Sequence, residues 1–134
     1  MQTDEYPVEG LPTPTPDDGP ATVVARQLDA LATNDDPFED AGVLTAYNFA
    51  SPANRRSTGP RERFVRMVHG PAYAPMIDHV KAVTGPVERD GNRAEQRVTL
   101  TGPNGRTVTY AFGLSRRTEG SFAGCWLTDR VLVD

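Results

Sequence analysis

From about Asp78 to the C-terminus, apolar residues stop recurring at helical spacing and begin to alternate with polar ones, and this switch constrains the fold most. In residues 93–101, Ala94, Gln96, Val98 and Leu100 share one face, and Glu95, Arg97, Thr99 and Thr101 share the other. Residues 106–116 repeat the pattern, with Val108, Tyr110, Phe112 and Leu114 inward and Thr107, Thr109 and Ser115 outward. Asp90-Gly91-Asn92 and Gly102-Pro103-Asn104-Gly105 supply the hairpin turns. A first strand over 80–88, kinked at Gly85-Pro86, and a last strand over 124–133 complete an antiparallel meander of about four strands. Such a sheet has one wet face, and its other face must be covered.

The cover comes from the residues before the switch. Val24, Leu28 and Leu31 recur at helical spacing after Pro20, so a first helix is expected over about 20–34. In Asp35-Asp36-Pro37-Phe38-Glu39-Asp40, Asp36 and Glu39 have the spacing of a capping box, and a second helix is expected from there to about Ala50. Its buried side would be Phe38, Val43, Leu44 and Tyr47. The spacing of those acids matches no EF-hand loop. Ser51-Pro52 stops that helix, and Thr58-Gly59-Pro60 starts a third that buries Phe64, Val65 and Val68. The expected fold is therefore α+β, with about three N-terminal helices packed on a curved antiparallel sheet.

Residues 1–19 hold four prolines, three aspartates and two glutamates, and this composition predicts a disordered acidic tail ahead of a single domain over 20–134. No apolar run approaches the roughly 18 residues of a membrane span. The N-terminal residues lack the basic and apolar regions of a secretory signal, so a cytoplasmic protein is expected, with no membrane partner. The net charge of -4 argues against a nucleic-acid partner. Thirteen of the 14 cationic residues are arginine and 11 of the 18 acids are aspartate, a bias that suits a high-GC genome and equally a high-salt cytoplasm. The single cysteine, Cys125, excludes an intrachain disulfide and a cysteine-based metal site, and no metal or cofactor is expected.

The stretches VVARQLDAL, TAYNFASPANRRSTGPRERFVRMV, GPVERDGNRAEQRVTLTGPNGRTVTYAFGLSR and GCWLTDRV resemble an uncharacterised domain family. Helices followed by a curved antiparallel sheet also resemble the nuclear-transport-factor-two-like (SnoaL-like) superfamily of cone-shaped folds, within which that family would fall. The resemblance covers about residues 22–133 and brings no reaction with it. It implies a cone between helices and sheet that holds a small ligand, a catalytic site or only packed side chains.

The residues expected to line such a cone are Tyr47, Gln96, Tyr110, Phe112 and Trp126, with Asn54 and Arg55 at its mouth. Gln96 interrupts an apolar face and must either line a polar pocket or bond across the core. Tyr110 can bury its ring and put its hydroxyl in a cavity. Cone enzymes work with carboxylate, histidine and tyrosine, so the catalytic candidates are His79, Tyr110 and Asp129. Cys125 has no cationic or helix-terminal neighbour in sequence to activate it. Arg55, Arg56, Arg61, Arg63 and Arg66 form either an anion site or a solvated helix face. Two functions follow as expectations: a small-ligand-binding or interaction module, or a lyase or isomerase using the polar residues of the cone. The threonine-rich outer sheet face is the expected contact of a homodimer.

Overall fold

The computed structural model describes residues 6–134. It is α+β, with four short helices preceding a four-stranded antiparallel sheet. The helices are α1 (Pro20–Ala32), α2 (Ala41–Asn48), α3 (Pro52–Thr58) and α4 (Arg61–Val68), followed by a 3-10 turn at Ala74–Met76. The strands β1 (Lys81–Asp90), β2 (Arg93–Thr101), β3 (Thr107–Arg116) and β4 (Trp126–Val133) pair in sequence order.

The helix count is four rather than three because Ser51-Pro52 starts a helix as well as stopping one. The Ser51 hydroxyl accepts from the Asn54 N–H at 3.2 Å, and Pro52 takes the first helical position, where its missing N–H costs nothing. The expected capping box at Asp36 and Glu39 does not form, and α2 begins later, at Ala41. Its entry is held by Asn34, just past the end of α1. The Asn34 side-chain oxygen accepts from the Val43 N–H at 2.9 Å, its amide donates to Asp40 at 2.9 Å, and its carbonyl accepts from the Gly42 N–H at 2.8 Å. Phe38 consequently lies outside the helix and is exposed rather than buried.

Ala94, Gln96, Val98 and Leu100 of β2 are all buried, as are Tyr110, Phe112 and Leu114 of β3, as their alternation requires. α1 covers them with Val23, Val24, Leu28 and Leu31, and α2 and α4 add Val43, Tyr47, Phe64 and Val68. Each such aliphatic or aromatic side chain contributes about 1.5–3 kcal/mol on burial. β1 is largely exposed on both faces, so the cover extends over β2, β3 and β4.

Two β-bulges shape the sheet. One lies between Thr84 and Val87, at Gly85-Pro86 as expected from the sequence. The other lies in β4: Gly113 faces Arg130 and Leu114 faces Thr128, which leaves Asp129 as the extra residue. A bulge reverses the alternation beyond it. Thr128 thus faces the helices before the bulge, and Val131 does so after it.

Residues 6–19 do not behave as the expected tail; they lie against the domain as a strap. Val8 and Leu11 are buried in the main core, Tyr6 packs against it, and Asp18 accepts from the Arg26 guanidinium at 2.9 Å. Proline-rich chain loses less conformational entropy on ordering, and three apolar anchors offset the remainder. The expectation for residues 1–5 lies outside the described residues.

Candidate functional site

A cavity of about 240 Å³ opens between the helices and the free edge of β4. Its apolar wall comes from Leu31 of α1, Phe64, Met67 and Val68 of α4, Met76, Phe112 and Val131. The polar wall comes from Gln27, Asn54, Ser57, Thr58, Tyr73, Thr128, Asp129 and Arg130.

Most of these polar groups are committed to the fold. The Gln27 amide, on the buried stripe of α1, donates to the Thr128 hydroxyl at 2.8 Å and to the Val23 carbonyl at 3.2 Å. The Asn54 amide donates to the Thr128 carbonyl at 3.1 Å, tying α3 to the start of the bulge. The Thr58 hydroxyl donates to the Asn54 carbonyl at 3.0 Å. Tyr73 donates to the Val131 carbonyl at 2.7 Å, so its phenol spans the cavity wall and satisfies the sheet edge. Burial pushes the Tyr73 phenol above its ordinary range, so it stays a hydrogen-bond donor at neutral pH.

Asp129, like the exposed Ser57, is not committed in this way. It is half-buried at the cavity, and its carboxylate has no hydrogen bond or ion pair among the described residues. The bulge is what brings it there. In an unbroken strand, a residue following inward-facing Thr128 would point to the opposite face of the sheet.

The other candidates are distributed differently. Phe112 and Asn54 line the cavity with Asp129. Tyr110 is fully buried, stacks on Tyr73 at 5.9 Å between ring centroids, and donates to the Ala72 carbonyl at 2.8 Å. Its phenol is pushed up to about 12, by burial first and by Tyr73 second, against the opposing pull of Arg106. Nδ1 of the buried His79 sits 2.8 Å from the Met76 carbonyl. Neither His79 nor Tyr110 lines the cavity, so the three catalytic candidates do not converge on it.

A family model described as a domain of unknown function (DUF4864) matches residues 16–132. The chain belongs to this family. No curated protein and no solved structure matches it.

Four further residues expected at the pocket of this DUF4864 domain stand elsewhere. Tyr47 is a core residue, edge-on to Tyr6 at 6.0 Å and tilted against Phe64 at 5.3 Å. The Gln96 amide donates to the Gly85 carbonyl at 2.8 Å, satisfying the backbone that the β1 bulge frees. Trp126 is buried beneath the Arg89 guanidinium, 4.9 Å from the ring centroid. Arg55 covers the Tyr6 ring at 3.4 Å.

Sequence reasoning misses Gln27, Tyr73 and Thr128. Gln27 carried a signal, because a polar residue on the apolar stripe beside Val24, Leu28 and Leu31 needs a buried partner. Tyr73 and Thr128 had none, since their roles depend on pairing across 58 residues and 101 residues respectively.

Proposed function

We propose that this DUF4864 domain is a binding module, cone-shaped in the nuclear-transport-factor-two-like manner, that takes a small, largely apolar ligand with a cationic or hydrogen-bond-donating end. The observation that carries this reading is Asp129: a partly buried, unpartnered carboxylate at a 240 Å³ cavity whose apolar wall includes Leu31, Phe64, Met67, Val68, Met76 and Phe112. Convergence of an apolar wall and one unsatisfied polar group is what small-ligand sites present. The volume lies just below the roughly 300–1,000 Å³ of sites for drug-sized molecules, so the ligand is correspondingly smaller.

Binding fits better than catalysis because the acid–base candidates do not meet. Tyr110 is committed to a backbone carbonyl, His79 is held against another, and Asp129 stands at the cavity without either of them. A lyase or isomerase would need a base and a donor within reach of one substrate atom.

The test is a thermal-shift series with benzylamine, benzyl alcohol and benzoate. A ligand at ten times its Kd stabilises by about 1.4 kcal/mol, a shift of several degrees for a domain of this size. Benzylamine is expected to give the largest shift, and Asp129→Asn to remove its advantage over benzyl alcohol. If neither benzylamine nor benzyl alcohol raises the Tm of the wild type, the reading fails.

A homodimer through the outer sheet face belongs to the same proposal. It is favoured by the exposed Val83 and Leu132, which share that face with Thr99 and Thr109.

A further inference from the structure

A second concavity, of about 340 Å³, lies under the N-terminal strap and is lined by Tyr6, Pro7, Pro52, Arg55, Arg117, Phe122 and Leu127, with Glu119, Gly120 and Ser121 beside them. It shares no lining residue with the cavity at Asp129. Two guanidinium groups meet here from distant parts of the chain. Arg55 comes from α3, and Arg117 follows the end of β3. Both are half-buried.

Neither has a carboxylate partner among the described residues. The Arg55 guanidinium carbon lies over the Tyr6 ring, 3.4 Å from its centroid, and its Nε reaches the Ala50 carbonyl only at 3.5 Å. An arginine carries five N–H donors in a planar fork, so Arg55 keeps donors for a ligand beyond its contacts with Tyr6 and Ala50. The Arg117 guanidinium makes no hydrogen bond or ion pair among the described residues; its backbone N–H donates to the Cys125 carbonyl, which fixes the root of the side chain. Both arginines pull the Tyr6 phenol downward, against the burial that raises it, so both charges act at one place. The Tyr6 hydroxyl itself is occupied, donating to the Asn48 carbonyl at 2.9 Å.

Two half-buried cations without counter-ions are costly unless an anion joins them. The flanking surfaces of Pro7, Pro52, Phe122 and Leu127 are apolar, so the site suits an acid group on a small hydrophobic body. We infer that Arg55 and Arg117, with the Tyr6 strap as one wall, form a binding site for a small oxyanion, a carboxylate or a phosphate attached to an apolar group. The acid takes the two arginine forks, and the apolar body lies against Phe122 and the prolines. Tyr6 and Pro7 lie outside the stretch that matches the family, residues 16–132, so the strap adds this wall to the family domain. Glu119 borders the same concavity and opposes the anion.

Phosphate and benzoate are titrated separately into 15N-labelled protein at low chloride, for wild type, Arg117→Gln and Glu119→Gln. In the wild type, the amides of Gly120, Ser121 and Phe122 are expected to shift saturably, while those of Met67 and Asp129 at the other cavity stay in place. Removing one charged hydrogen-bond donor should weaken binding roughly tenfold or more. Removing the opposing carboxylate should tighten it about two- to fivefold. Tighter benzoate than phosphate assigns a carboxylate with an apolar body, and the reverse assigns a phosphate. Arg117 and Glu119 lie outside the core, so both variants keep the fold, and dispersion of the spectrum checks it. No saturable shift with either anion, or equal binding by Arg117→Gln, overturns the inference.

Discussion

Asn48 and Val8 are hydrogen-bonded in both directions, although 40 residues separate them. The Val8 N–H donates to the Asn48 side-chain oxygen at 2.6 Å, and the Asn48 amide donates to the Val8 carbonyl at 3.1 Å. The same amide donates to the Pro12 carbonyl at 3.2 Å. A fully buried side chain on α2 thus serves the strap as a neighbouring strand would. Asn48→Ala removes these bonds and leaves the Val8 N–H buried without an acceptor. It should destabilise the domain by about 2–4 kcal/mol in urea unfolding. Deleting residues 1–15 should remove most of the same energy, so the two changes together should fall well short of additive. Full additivity would mean that Asn48 does not act through the strap.

Gly42 sets how closely α1 and α2 approach. A Cβ there would meet the Ala30 carbonyl oxygen and carbon, the carbon at 2.9 Å, and the Asn34 side-chain oxygen at 2.8 Å. Backbone cannot rotate away as a side chain can, so Gly42→Ala must part the two helices. The expected cost is about 1–3 kcal/mol, seen as a lower urea midpoint at unchanged slope. Gly120→Ala is a useful contrast: nothing lies within 4 Å of its Cβ, and its strain comes only from a φ of 88°.

The alternation in β2 and β3 was readable because each strand buries one face, and a slip of one residue would invert both. Val98 pairs with Tyr110 and Gln96 with Phe112, in the register that the turn between the strands demands. Asp129 was nameable but not placeable. A bulge is a relation between two strands, and nothing within residues 126–133 marks which residue is the extra one. Ser51-Pro52 is legible in two ways, since the signal that ends α2 also caps α3. The strap was hidden for a different reason. Composition weighs local residues, whereas what holds Val8 is an asparagine on α2.

Tyr110 gives the domain an alkaline limit. Burial raises its phenol from 10.0 to about 12, so between those values the unfolded chain releases a proton that the folded chain keeps. The stability tied to this group is complete below about pH 10 and is lost as pH climbs toward 12. Phenolate absorbance should therefore rise together with loss of structure rather than ahead of it. Tyr110→Phe sacrifices the bond to the Ala72 carbonyl, about 1 kcal/mol at neutral pH. In return, its stability should fall less steeply above pH 10 than that of the wild type. An unchanged alkaline slope in the variant would assign the limit to another group.

On the outer sheet face, the Thr99 and Thr109 hydroxyls bond one another at 2.8 Å, and the Thr101 and Thr107 hydroxyls do so at 3.0 Å. Each pair uses one of its two O–H groups internally, so a covering surface has to supply an acceptor for only one O–H per pair. Val83, beside Thr99, and Leu132, paired with Ala111, are 54% and 52% exposed and would gain from being covered. The charged part of the face is balanced: Arg97 pairs with Asp134 at 3.0 Å and Glu95 at 3.5 Å, and Arg130 approaches Glu95 at 3.9 Å. A twofold contact centred on Thr99 and Thr109 therefore brings neutral surface together. In the Thr99→Arg, Thr109→Arg double variant, like charges would face each other across the axis. Sedimentation at micromolar concentration should give a dimer for the wild type and a monomer for the double variant, both with native circular dichroism. A monomeric wild type would rule the interface out.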